Sequence, residues 1–62
     1  MMDISEATIL YWEVKRAYYG RVKGMSTERA LQDLHKILAA VGPHHPLAEK
    51  TCKLQASIIL GE

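Results

Sequence analysis

The side chains able to bind a metal or move a proton gather in the second half of the chain, at His35, His44, His45 and Cys52. Imidazole and thiolate are good zinc ligands. Structural zinc sites, however, present ligand pairs at set intervals such as C-x₂-C with H-x₃-H, and this sequence offers none of them. The expectation is that the histidines fill a Gly-Pro turn and that His45 caps the helix that follows. Two adjacent imidazoles gain charge on acidification, which predicts a turn that loosens in acid. Cys52 has no base at the spacing of a nucleophile motif and is expected to pack as a small apolar side chain. Asp33 and His35 lie two residues apart, so a helix points them in different directions. Glu6 and Glu13 read as solvated acids. Three short helices rarely enclose a catalytic pocket, so the sequence predicts a chain that is not an enzyme and holds neither metal nor cofactor.

A second chemistry is suggested by Lys15, Arg16, Arg21 and Lys23, which fall between Glu13 and Glu28 with no acid among them. Bases interleaved with Tyr18 and Tyr19 could neutralise phosphates and stack on nucleobases. Against this stands a net charge of only +1, where nucleic-acid binders usually show a clear basic excess. A helix-turn-helix drawn through the Gly42 turn would place Lys50, Thr51, Lys53 and Gln55 on the reading helix. That turn carries two prolines and is longer than usual. A membrane-surface role would recruit the same bases with Trp12, but Glu6 and Glu13 share that polar face and anionic lipids repel them.

These residues need elements to position them. Sixty-two residues form one domain at most, and one of this size buries only roughly 60% of its unfolded surface. One cysteine excludes an internal disulfide. With acids rather than bases in the first residues, the expectation is a cytoplasmic protein. The longest run of large apolar residues, Ile9-Leu10-Tyr11-Trp12, falls far short of the roughly 20 that cross a bilayer.

The glycines and prolines cut the chain near residues 24–27 and 42–46, leaving stretches whose apolar residues recur every three or four positions. An all-α fold follows, with amphipathic helices over about 4–23, 27–41 and 46–60, arranged as a small bundle or as a hairpin crossed by a third helix. Asp3 or Ser5 can cap the first helix, Ser26 or Thr27 the second. The first stripe runs through Ala7, Leu10, Tyr11, Val14, Ala17, Tyr18, Val22 and Met25. Gly20 sits inside this helix at a cost of roughly 1 kcal/mol, and Gly24 is placed to close it in a left-handed conformation. The second stripe is Ala30, Leu31, Leu34, Ile37, Leu38 and Val41. The third is Leu47, Thr51, Leu54 and Ile58, with Ala48, Cys52 and Ile59 on its flank. Ser57-Ile58-Ile59-Leu60 has local strand character but no strand to pair with.

Helix one carries more apolar surface than one stripe needs. Trp12 and Tyr19 share a ridge roughly 120° from the core stripe, and Ile9 lies further round. Either helix one is central, with helix three over this ridge, or another chain covers it. Aromatic anchors with a basic rim suit a protein partner, which makes Ile9, Trp12, Arg16, Tyr19 and Lys23 the candidate contact residues. A second copy would also relieve the shortage of core. The leading expectation is a non-catalytic interaction module, either a small regulator or inhibitor or a homodimeric scaffold. The alternative is a nucleic-acid-binding regulator using Lys15, Arg16, Arg21 and Lys23.

Overall fold

Asp3 begins the first helix by accepting the Glu6 N–H on its carboxylate at 2.8 Å, which satisfies one of the donors that a helix start leaves unpaired. A computed structural model describes residues 2–20 and 24–61. It shows α1 over Ile4–Tyr19, α2 over Thr27–Val41 and α3 over Pro46–Leu60. Ser26 caps α2 by accepting from the Arg29 N–H at 3.1 Å. His45 caps α3 through Nδ1, which accepts the Leu47 N–H at 3.0 Å, and Pro46 fits the first turn because its fixed φ is already helical. Ser57–Leu60 complete α3 as helix, and Gly61 closes it at φ 77°.

The end of α1 departs from the expected 4–23. The helix stops at Tyr19, with Gly20 as an extended C-cap at φ −75° and ψ 176°. Residues 21–23, and with them Val22 of the expected stripe, lie outside the described residues. Gly24 does not close the helix in a left-handed conformation, since the positive-φ glycines are Gly42 and Gly61. Its N–H instead returns to the Ala17 carbonyl at 3.2 Å. The Tyr18 hydroxyl and Thr27 Oγ1 share a hydrogen bond of 2.9 Å, tying the end of α1 to the start of α2.

That tie, with Met2 beside Lys36 and Ala40 at the other end, makes α1 and α2 antiparallel. Gln55 lines one groove with Leu31 and Ala48 another depression with Leu38, so α3 is antiparallel to α2 as well. The topology is up-down-up with α2 in the middle. Helix one is therefore not the central helix. It packs extensively on α2 and meets α3 at only a few positions. The reason lies in α2, whose apolar arc spans about 180° on a 100° wheel. Leu34 and Ile37 have no exposed surface at its centre. Ala40 extends it towards α1, and Leu31 and Leu38 extend it towards α3.

Ala7, Tyr11 and Val14 from α1 join Leu47, Leu54 and Ile58 from α3 in the same core cluster. Asp33 is buried within this arc, 2% exposed. Arg29 Nε lies 3.2 Å from its Oδ2 and Lys36 Nζ 3.9 Å from Oδ1. Thr51 is also buried, and its hydroxyl donates to the Leu47 carbonyl at 2.7 Å. Cys52, expected to pack on the flank of α3, is exposed, as is Ile59. Both lie about 100–120° round from the centre of the α3 core stripe, and Cys52 lines an open depression with Leu38 and Pro43.

Gly20 gives the first test. A Cβ there would collide with the Arg16 carbonyl oxygen, whereas one at Gly24 meets nothing within 4 Å. Gly20→Ala should destabilise by more than about 1 kcal/mol and Gly24→Ala should be neutral or stabilise by up to about 1 kcal/mol; urea unfolding of the two variants measures both. His45 gives the second. Its ring accepts through Nδ1 only when uncharged, so His45→Ala should cost about 0.5–2 kcal/mol while His45→Asn, a good capping residue, restores most of it.

Candidate functional site

The two faces of α1 have different fates. Ala7, Tyr11 and Val14 are buried against α2, whereas Ile9, Trp12 and Tyr19 are 60%, 50% and 42% exposed. The second ridge stays uncovered because α3 docks on the far flank of α2. Aromatic neighbours brace one another along it. Tyr11 and Trp12 meet edge to face at 5.4 Å, as do Tyr18 and Tyr19 at 5.1 Å. The Lys15 ammonium lies 5.2 Å from the centre of the Trp12 ring and 6.0 Å from that of Tyr11, within reach of the attraction between a cation and a ring face.

Because α1 and α3 barely touch, a groove of about 400 Å³ opens between them. Its floor holds Tyr11 from α1 and Leu54 from α3. Lys15 and Tyr19 line one bank, Lys50, Lys53 and Ser57 the other. Lys53 pairs with Glu49 at 3.5 Å, but both side chains are three-quarters exposed, so solvent screens most of that attraction.

The structure divides the expected contact residues. Trp12 and Tyr19 border this groove, Trp12 through its contact with Lys15. Ile9 lies on another side of α1, beside Met2 and Leu10 in a shallow depression with Glu6 and Glu13. Arg16 is exposed in the last turn of α1, about 100° round from Lys15, so the two adjacent bases do not share a face. Arg21 and Lys23 lie outside the described residues. The reading helix drawn through Lys50, Thr51, Lys53 and Gln55 does not form one surface, because Thr51 is fully buried.

The reading-helix pattern takes in Lys50 and Lys53, and the local strand pattern Ser57, but neither pattern joins them to Lys15. The signal was present in their spacing of three and four residues, which sets a polar stripe beside the core stripe of α3. What joins this stripe to Lys15 is the displacement of α3 from α1, which no local pattern records.

The histidines are dispersed. His35 lies in a groove between α2 and α3 with Glu28 and Gln55, and His45 is held in its cap. Among the described residues no group of three His, Cys, Asp or Glu side chains could hold a metal ion. Nor, among the described residues, is any helix long and apolar enough to cross a membrane. No family model matches the chain, and no curated protein or solved structure matches it significantly.

The exposure pattern predicts which aromatic residues the fold can lose. Trp12→Ala and Tyr19→Ala should each change stability by less than about 1 kcal/mol and leave the helical circular dichroism intact. Tyr11→Ala should cost about 3–5 kcal/mol, enough to unfold a domain whose whole core rarely supplies more than about 3–5 kcal/mol.

Proposed function

We propose that this chain is a non-catalytic protein-interaction module, a small regulator or inhibitor of a larger protein or a homodimeric scaffold, that binds through the exposed aromatic ridge of α1. The observation that carries the reading is that Trp12 and Tyr19 remain about half exposed on a helix whose other face is already buried. A chain this short gains from covering such surface, and large aromatic side chains are the usual anchors of protein contacts. Ile9 offers a second exposed apolar contact on a neighbouring side of α1, and Arg16 supplies a basic rim that speeds encounter with an acidic partner. Lys23 belongs to the same proposed rim. The free thiol of Cys52 suits a reducing compartment, so a cytoplasmic location is part of the proposal.

Nucleic-acid binding is the second reading, favoured by the meeting of Lys15 with Lys50 and Lys53 in one groove. The two readings separate by photo-crosslinking. A benzophenone amino acid at position 12 or 19 should yield protein adducts in cells, and the same group at exposed Ala56 should not. Adducts with nucleic acid, or equal yields from all three positions, would overturn the interaction module. Sedimentation equilibrium at micromolar concentration then distinguishes a second copy from a different protein, since only the former raises the mass of the purified chain.

A further inference from the structure

The groove between α1 and α3 narrows the partner's chemistry beyond what the aromatic ridge alone says. Its floor, Tyr11 and Leu54, is apolar, and cationic residues stand on both banks: Lys15 on one, Lys50 and Lys53 on the other. None of the described residues lining it is acidic. Lys53 does have a counter-charge in Glu49, but the pair is exposed and screened. We infer that this groove receives an acidic amphipathic helix of a partner protein, with an apolar stripe on the floor and Asp or Glu on both of its flanks. The inference rests on the protein-binding reading above and adds to it the partner's shape and charge.

The shape follows from the fold. Two helices running in the same direction on either side of α2 leave a trough parallel to their axes, and a helix laid in it would touch both and complete a four-helix arrangement. The charge follows from the banks, because a helix with acids on only one flank would leave the opposite lysines without partners. A second copy fits poorly. The exposed sides of α2 and α3 carry Arg29, Lys36, Lys50 and Lys53, and α1 adds Lys15 and Arg16, so among the described residues no helix presents an apolar stripe with acids on both flanks. Single-stranded nucleic acid fits less well too, because a strand-binding groove goes with a clear basic excess and the net charge of this chain is only +1.

The sole tryptophan of the chain, Trp12, touches Lys15 and so provides the readout. The full chain is titrated with a synthetic helix of about 18 residues, roughly 27 Å long, carrying a leucine stripe flanked by glutamates. Parallel titrations use the same stripe flanked by lysines and an oligothymidylate. The glutamate peptide should shift Trp12 fluorescence with micromolar affinity, and the lysine peptide should not. Lys50→Glu/Lys53→Glu should weaken binding by at least about tenfold and Lys50→Gln/Lys53→Gln by less, both with unchanged circular dichroism. Equal binding of the two peptides, preference for the oligothymidylate, no binding of the glutamate peptide, or indifference to both double variants overturns the inference. If protein adducts still form from position 12 in the charge-reversed chain, the ridge binds protein without the groove and only the present inference fails. If position 12 gives no protein adduct in the unaltered chain, the interaction reading itself fails.

Discussion

Leu34 and Ile37 lie at the centre of a core to which all three helices contribute, and both belong to α2. A chain of this size has enough apolar surface for one continuous core, and burial of that surface is the main force opposing the entropy of ordering the chain. Placing the widest apolar arc on the middle helix lets one element serve two neighbours. The outer helices can then be narrow. They need bury only a single stripe each, and the rest of their circumference is released from structural duty.

That arrangement determines where polar groups can be tolerated. Asp33 sits on the α2 arc but finds Arg29 and Lys36 one turn away in each direction, so its carboxylate is buried with partners that themselves reach water. Thr51 uses its own helix for the same purpose. Both residues interrupt an apolar face without leaving an unsatisfied polar atom, as the cost of unpaired buried groups requires.

Much of this was legible in residue spacing. The boundaries of α2 and α3 follow from Ser26, Gly42, Pro46 and Gly61, each of which acts through its own backbone or its nearest neighbours. The core stripes were legible for the same reason, since side chains three and four apart must share a face. The end of α1 was not, because Gly20 still makes the helical N–H bond to the Arg16 carbonyl and ends the helix only through its extended ψ of 176°, which no local pattern specifies. The order of packing was also hidden. Helix one has two apolar ridges and looks central by that measure, yet α2 wins the middle position because its apolar residues form one broad arc between two short connections. The basic groove depends on that order, and so Lys15 could not be joined to Lys50 and Lys53 from spacing alone.

The sparse contact between α1 and α3 has a thermodynamic meaning of its own. With α2 as the only common neighbour, the three helices form a linear stack in which the ends communicate through the middle, the nearest-neighbour situation familiar from repeat proteins. An outer helix in such a stack opens against only the few direct contacts it makes with the other. Anything bridging α1 and α3 converts the line into a closed ring, where each element has two neighbours. Occupancy of the groove would then change not only how much free energy separates the folded and unfolded chain but how sharply the transition occurs, because the loosest part of the molecule would no longer have a free end.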